Sequence, residues 1–168
     1  MSERESCFRE LLGRNHARWR GIARCYAKDG DRDDLIQEIM MQIWKNLDRF
    51  ESRSSIDTWA YRVALNTALA WDRTSKKRAK KLNTDATDVN RLVGDSRDSS
   101  IERRVLDEFL TSLSKTDRAV MLLFLDDVPN ADAAEITGMT EGALRVRLHR
   151  IRNKFEATYC EGEVSDDV

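Results

Sequence analysis

Proline, glycine and cysteine are scarce in this sequence. One proline and seven glycines in 168 residues leave few points where the chain can turn sharply, which favours long helices over many short strands. The three cysteines, Cys7, Cys25 and Cys160, are odd in number and widely spaced, so they predict neither a disulfide framework nor a zinc site. We therefore expect reduced cysteines, no metal ion and no cofactor.

Long apolar runs are missing as well. No stretch approaches the roughly 20 apolar residues that span a membrane, and residues 1–5 contain no apolar segment of the kind that directs secretion. We expect a cytoplasmic protein that does not insert into a membrane. The sequence also lacks a nucleophile–base set and a glycine-rich phosphate loop, which indicates a binding protein rather than an enzyme.

An excess of charge of one sign is absent only when the charges are summed over the whole chain. The formal net charge is −1, but six basic residues and no acid lie between residues 73 and 81. Acidic residues cluster instead at 29–38 and again after residue 160. Because local charge determines where a polyanion binds, the basic segment predicts contact with nucleic acid phosphates.

Apolar spacing predicts three helices in the first part of the chain. Apolar residues from Phe8 to Tyr26 recur at i, i+3 and i+4, and residues 29–31 are expected to end this helix and cap the next. The second helix, residues 33–47, has a wide apolar stripe and acidic residues in its first turn. After a polar loop, a serine or Asp57 caps a third helix that runs to about Lys81.

The apolar periodicity lapses between residues 82 and 100. This polar segment predicts a flexible linker between two small helical domains, one over residues 1–81 and one over residues 101–160, followed by an acidic tail at 161–168. The predicted fold class is all-α. In the second domain, residues 114–117 resemble a capping box that begins a helix.

A helix-turn-helix is predicted near the end of the second domain. Residues 130–137 form its first helix, Gly138 begins the turn, and Thr140 caps a second helix over 141–155. At 100° per residue, Leu144, Leu148, Ile151 and Phe155 face the core, whereas Gly142, Val146, His149 and Arg150 lie opposite, with Arg145 at the edge. Arginine beside small residues suits the major groove. The alternative is a basic solvated face on an ordinary helical hairpin.

Residues in the first domain also allow two interpretations. The acidic start of the second helix is more often a solvated edge than a docking site. Trp44, Trp59 and Trp71 are similarly more often core residues than platforms for bases. Asn66 is harder to explain structurally, because asparagine is a poor residue for a helix interior and its amide can bind an exposed base edge.

Four segments together resemble the sigma-70 family, in its extracytoplasmic-function group. These segments are DLIQE at 34–38, LDRF at 47–50, TWAYRVALNTA at 58–68 and EGALRVRLHR at 141–150. They follow the order and spacing of regions 2 and 4 of that family. The short 82–100 linker also agrees with a group that lacks the region between these two domains.

The resemblance implies two partners, core RNA polymerase and promoter DNA. It implies docking onto the β′ clamp helices and the β flap of the polymerase, with an anti-sigma factor as a further partner. The residues that it places against the polymerase are Asp34, Gln37, Glu38, Met40 and Trp44. The residues that it places at the melted −10 element are Phe50, Arg53, Tyr61, Arg62, Asn66, Arg73, Lys76 and Lys77. The residues that it places at the −35 element are Arg145, Val146, Arg147, His149 and Arg150.

One departure from the family pattern concerns the first helix of the helix-turn-helix. Ala133 stands where a larger aliphatic residue is typical, which predicts looser packing of that helix. The predicted function is that of a sigma factor that reads −35 duplex and captures melted −10 DNA. The alternative is a helix-turn-helix regulator whose first domain only dimerises or senses, without binding core polymerase as a sigma subunit.

Overall fold

A computed structural model of the chain describes residues 2–81 and 101–159, without the side chains of residues 75–81. Every regular element in these residues is helical, so the predicted all-α class is confirmed. Short 3₁₀ turns at Asp29–Asp31 and Leu47–Arg49 flank the second helix. The helices are α1 (Glu3–Tyr26), α2 (Arg32–Asn46), α3 (Ile56–Lys81), α4 (Ile101–Ser112), α5 (Lys115–Leu125), α6 (Asn130–Thr137) and α7 (Glu141–Tyr159).

The chain divides into two compact units, Met1–Asp107 and Glu108–Val168. Helix α4 crosses the boundary between them. The segments predicted to be a linker and an acidic tail, 82–100 and 161–168, lie outside the described residues. The expected domain boundaries at those segments therefore stay predictions.

The core of the first unit lies where α1, α2 and α3 pack against one another. Trp19 and Ile22 of α1 and Leu35 and Ile39 of α2 are 0% exposed. On α3, Ala60, Ala64 and Ala68 are also fully buried, and their small side chains at four-residue spacing let the neighbouring helices approach closely. Burial of each large aliphatic side chain stabilises the unit by about 1.5–3 kcal/mol.

The start of α2 differs from the prediction. Asp31 precedes the helix, but its side chain makes no capping hydrogen bond. Its backbone has φ −105° and ψ −2°, which is helical, whereas a capping residue needs an extended backbone. Asp29 instead pairs with Arg32 at 2.6 Å. The predicted cap is therefore wrong, although Asp33 and Asp34 do lie in the first turn.

The start of α3 is fixed by two separate contacts. Ser55 is the cap, because its Oγ accepts a hydrogen bond from the Thr58 backbone N–H at 3.0 Å. Asp57 does not cap the helix but accepts hydrogen bonds from Asn15 Nδ2 at 2.6 Å and from Arg14 Nε at 3.3 Å. These bonds join α1 to the first turn of α3, directly after the polar loop.

In the second unit, α5 begins at the predicted cap. The backbone N–H of Asp117 donates to Ser114 Oγ at 3.1 Å. Arg118, one residue later, donates to the carbonyl oxygens of Leu110, Thr111 and Leu113. Since the last carbonyls of a helix lack partners within it, this guanidinium closes the end of α4.

The helix-turn-helix agrees with the prediction in its turn but not at its end. Gly138 has φ 71°, the left-handed conformation that favours glycine after a helix, and Thr140 Oγ1 accepts from the Ala143 N–H at 3.2 Å. Helix α7 continues past Phe155 to Tyr159, since both rings pack on Phe109, with centroids 5.0 and 6.2 Å away.

Candidate functional site

The exposed side of α2 presents most of the residues predicted to bind the polymerase. Asp34 and Gln37 are exposed, and Glu38 and Met40 are half-buried. Glu38 Oε1 accepts a hydrogen bond from Gln42 Nε2 at 2.7 Å, one turn further along the helix. Asp34, Gln37 and Glu38 thus form an acidic and polar surface, and Met40 adds a half-buried apolar side chain to this helix.

Trp44 belongs to this surface but is held by α1. The Phe8 ring meets it edge-on at 5.3 Å, and the Arg4 guanidinium lies 4.2 Å from the centre of the indole. Arg4 also donates to the Trp44 carbonyl oxygen at 2.5 Å and pairs with Asp48 at 2.8 Å. Cation–π and ionic contacts together therefore fix this side chain in one place on the surface.

A cavity of about 620 Å³ lies between α2 and α3 in the first unit. It brings together Glu38, predicted to face the polymerase, with Arg62 and Asn66, both predicted to face DNA. Its lining residues are Glu38, Gln42, Asn46, Arg49, Trp59, Arg62, Val63, Asn66, Thr67, Ala70, Trp71 and Thr74.

The chemistry of this cavity suits a planar ring with polar edges. Trp59 and Trp71 offer aromatic surface for stacking, and the exposed Asn66 side chain offers both a donor and an acceptor. The Trp71 Nε1 atom is buried without a hydrogen-bond partner.

The loop before α3 places its two predicted DNA-binding residues apart from the cavity lining. Phe50 packs on Trp59, with ring centroids 5.5 Å apart. The Arg53 side chain is 84% exposed and pairs with Glu51 at 2.7 Å. Ser52, between them, has φ 54°, a left-handed backbone that is uncommon for a non-glycine residue. The loop therefore projects Arg53 outward while Phe50 anchors the loop to α3.

Tyr61 lies in the core and not on the surface predicted to bind DNA. It was expected on the DNA-facing surface, but it is 2% exposed and belongs to the core of the first unit. On α3 it shares one face with Ala64, Leu65 and Ala68, all of them buried. The expected surface position is therefore wrong, because the helical register of Tyr61 turns it towards α1 and α2.

The basic end of α3 is only partly described. Arg73 is exposed, so its guanidinium is accessible to a phosphate. The side chains of Lys76 and Lys77 lie outside the described residues. Their predicted contacts with DNA stay predictions.

The recognition face of α7, which we define as Gly142, Arg145, Val146, His149 and Arg150, is exposed along its whole length. The apolar side chain of Val146 is 63% exposed. A Cβ added at Gly142 would meet only Thr140 Oγ1, at 4.0 Å. His149 Nδ1 lies 3.4 Å from Asn153 Nδ2. The face combines two arginines with small and apolar groups, as a major-groove helix does.

Arg147 is placed differently from the recognition face. Its Nη1 atom lies 2.6 Å from Asp117 Oδ1 at the start of α5. Burial raises the pKa of Asp117, but hydrogen bonds from Arg147 and Ser114 and the charges of Arg147 and Arg150 outweigh burial. The net effect lowers the pKa of Asp117 below its usual value, so the carboxylate is ionised at neutral pH.

Several residues of these sites escaped the sequence analysis. Gln42 and Arg49 line the cavity, and Asp117 binds Arg147. Asn15, which ties α1 to α3, did carry a signal, since it is a polar residue in the apolar stripe between Leu11 and Trp19. The described part of the chain holds no cluster of three or more metal-ligating side chains. It also contains no helix with the length and hydropathy needed to cross a membrane.

Two family models match the chain in succession. Sigma-70 region 2 matches residues 11–78, and Sigma-70 region 4 matches residues 103–155. The ECF RNA polymerase sigma-E factor of Haemophilus influenzae is 25% identical over 164 residues, which cover 90% of this chain and 87% of that protein. The sigma-E factor of Escherichia coli K12 is 24% identical, covering 90% of this chain and 86% of that protein.

Two solved structures share the fold. The sigma factor RpoE from Bartonella quintana, in complex with the anti-sigma factor NepR, has a TM-score of 0.72 at 23% identity, over 89% of this chain and 94% of that chain. CnrH, in complex with the cytosolic domain of CnrY, has a TM-score of 0.69 at 22% identity, over 95% and 91% of the two chains. Both solved structures therefore have a helical fold similar to the one described above.

Proposed function

This chain belongs to the sigma-70 family, in its extracytoplasmic-function group, and from that premise we propose that it directs core RNA polymerase to specific promoters. It binds the core enzyme and promoter DNA and performs no chemistry of its own. The observation that carries the proposal is that regions 2 and 4 of the family match in succession, with an α2–α3 cavity in the first match and an exposed basic recognition face in the second.

The polymerase contact is assigned to α2. Asp34, Gln37, Glu38, Met40 and Trp44 lie on this helix, and the β′ clamp helices are their proposed partner. The anchoring of Trp44 by Phe8 and Arg4 supports this assignment, because a pre-ordered side chain loses less conformational entropy when it is bound. The β flap is the proposed partner of the second unit.

The −10 contact is assigned to the loop before α3 and to the α2–α3 cavity. Arg53 and Arg73 are exposed cations for phosphates, while Arg62 and Asn66 stand at the cavity for an unstacked base. Stacking contributes about 1–3 kcal/mol per base, which offsets much of the cost of unpairing. Capture of a base therefore favours strand opening.

The −35 contact is assigned to the recognition face of α7. Arg145 and Arg150 can each pair with a guanine edge, and Gly142 permits close approach of the backbone to the duplex. Val146 and His149 complete the face. The exposed apolar side chain of Val146 suits contact with a thymine methyl group.

The competing function, a helix-turn-helix regulator that does not bind core polymerase, is not favoured. It accounts for α6 and α7 but leaves the region 2 match over residues 11–78 without a role. An anti-sigma factor is proposed as a regulatory partner, by analogy with the two complexes of similar fold. Because core polymerase works in the cytoplasm, we propose the same location for this protein.

Co-elution with purified core RNA polymerase tests the proposal directly. The wild-type chain should co-elute and support run-off transcription from a promoter selected from a random-sequence pool. Glu38→Lys should abolish co-elution while leaving helicity and melting temperature nearly unchanged, because Glu38 is half-buried at the surface and not in the core.

Glu10→Lys is a matched control on the exposed side of α1. It makes the same charge reversal and should leave co-elution intact. Normal co-elution of Glu38→Lys would remove the docking assignment of this residue. Failure of the wild-type chain to bind core polymerase at all would favour the regulator instead.

A further inference from the structure

Arg147 differs from the other described arginines of α7 in having an ion-pair partner. Of the described arginines on α7, it alone has a carboxylate oxygen within ion-pair distance, at 2.6 Å on Asp117. The two side chains are 33% and 28% exposed, so water only partly screens the pair. Arg147 lies next to the recognition face, 60° around the helix from Arg150 by the geometry of 100° per residue.

The Asp117 carboxylate is held in place from both sides. Oδ1 accepts from Arg147, and Oδ2 accepts from Ser114 Oγ at 2.8 Å, while the Asp117 N–H donates back to the same hydroxyl. Both oxygens are therefore engaged, and the start of α5 aims one of them at α7. The lowered pKa of this carboxyl agrees with a charge that is present at neutral pH.

From this geometry we propose that Asp117 masks Arg147 and thereby limits sequence-independent binding of the second unit to DNA. This inference rests on the proposed function, since it concerns the unit assigned to the −35 element. Attraction to duplex DNA comes from cations that neutralise phosphates and release counterions. A guanidinium already neutralised by a carboxylate releases none, and the carboxylate itself repels the DNA backbone.

The masking lowers the affinity for DNA of any sequence and leaves the sequence preference unchanged. Phosphate contacts strengthen binding to all sequences alike, whereas base contacts distinguish them. With Arg147 paired, the exposed cations of the recognition face, Arg145 and Arg150, supply a larger share of the attraction. Because Arg147 is masked, the affinity for promoter and for random DNA is lowered by the same factor, and less of the protein is held on random DNA than would be with a third free arginine.

A purely structural ion pair between α5 and α7 predicts the opposite result. In that case, loss of either partner would loosen α7 and weaken DNA binding. Asp117→Asn and Arg147→Gln break the same ion pair, but only the first leaves an unpaired cation. The two variants therefore separate masking from support of the fold.

The test measures binding of the full chain to a labelled random-sequence duplex and to a duplex selected with holoenzyme, over a range of salt concentrations. Asp117→Asn should bind the random duplex about fivefold to tenfold more tightly at low salt, with the slope of log K against log salt steeper by roughly 0.9, the value for one phosphate. The double variant Asp117→Asn with Arg147→Gln should lose this gain.

Asp127→Asn is the matched control, because it removes one exposed carboxylate just beyond the opposite end of α5. It should not steepen the slope. Weaker binding by Asp117→Asn, with melting temperature unchanged, would overturn the proposal, as would an equal gain in Asp127→Asn. A shallower slope in Arg147→Gln alone would also overturn it, because Arg147 would then contact a phosphate despite its pair. If holoenzyme containing the wild-type chain cannot distinguish the selected duplex from the random one, the assigned −35 function fails independently.

Discussion

Asn66 stands at the α2–α3 cavity with its amide exposed, in the middle of a 26-residue helix. Asparagine lowers helix propensity there, so the residue is costly unless its side chain has a use. The neighbouring indoles of Trp59 and Trp71 leave the amide as a polar group beside two stacking surfaces. From this arrangement we expect the Asn66 amide to hold a base once stacking has brought that base into place.

Asn66→Ala should therefore separate strand opening from promoter binding. Holoenzyme carrying this change should still bind the duplex −35 element but form several-fold less open complex, since one hydrogen bond contributes about 0.5–1.5 kcal/mol. A premelted −10 bubble should restore only part of the run-off transcript, because the contact with the base is still missing. Permanganate footprinting on both templates measures the effect, and opening at the wild-type level would contradict the role of Asn66.

For single residues, the sequence predicts correctly those properties, such as exposure, that depend on one helix alone. The exposure of Arg145, Val146, His149 and Arg150 followed from 100° steps along α7 alone. The sequence does not predict the ion pair of Arg147, because the partner Asp117 lies 30 residues away in another helix. The family resemblance implies that Tyr61 contacts DNA, although its spacing with Ala64 and Ala68 already indicates a position in the core.

Two glycines in the helix-turn-helix have different reasons to be glycine. Gly138 ends α6 with φ 71°, a conformation that costs a residue with a Cβ about 1–3 kcal/mol. No atom lies within 4 Å of a Cβ added there, so the cost is conformational and not steric. Gly142 lies within α7 on the recognition face, where a methyl group would project from the surface that we assign to the duplex.

The pair Gly138→Ala and Gly142→Ala tests this difference. Gly138→Ala should lower the stability of the second unit by about 1–3 kcal/mol while the protein that remains folded binds the −35 duplex normally. Gly142→Ala should stabilise α7 by about 0.5–1 kcal/mol yet weaken −35 binding. Thermal melts and duplex titrations measure the two effects. Unchanged DNA binding by Gly142→Ala would show that the duplex does not approach this position closely.

Helix ends were predictable only where the chain signals them locally. Ser55, Ser114 and Thr140 are polar caps next to a change in apolar pattern, and each accepts a backbone N–H in the structure. The extra turn of α7 could not be predicted, because Tyr159 packs on Phe109 of α4. The prediction that Asp31 caps α2 is wrong because a 3₁₀ turn leads directly into that helix.

Over the whole molecule, the aromatic residues are distributed unevenly. All four tryptophans, Trp19, Trp44, Trp59 and Trp71, lie in the first unit. The second unit has its aromatic cluster in Phe109, Phe155 and Tyr159. Tryptophan fluorescence therefore reports on the first unit, while circular dichroism reports on the helices of both.

Because of this distribution, Leu144→Ala should affect the fluorescence and circular dichroism signals differently. Leu144 is 1% exposed, and its truncation should destabilise the second unit by about 2–5 kcal/mol. The circular dichroism transition should then split or shift to lower temperature, while the fluorescence midpoint stays unchanged. Ile39→Ala, at a fully buried position of the first unit, should move the fluorescence midpoint instead. Equal shifts in both signals with Leu144→Ala would show that the two units unfold as one cooperative block.

The shared wall of the α2–α3 cavity has a thermodynamic consequence. Glu38, assigned to the polymerase, and Asn66, assigned to the melted strand, line the same space. A shift of the α2 side chains on docking would reshape the space offered to the base, and the two binding equilibria would then be linked. Linkage is reciprocal, so if the core enzyme strengthens capture of the strand by some factor, the captured strand strengthens retention of this subunit by the same factor. Release of the melted strand would then weaken the binding of this subunit to the polymerase by that factor. The subunit would therefore dissociate more readily after the strand has been released than before.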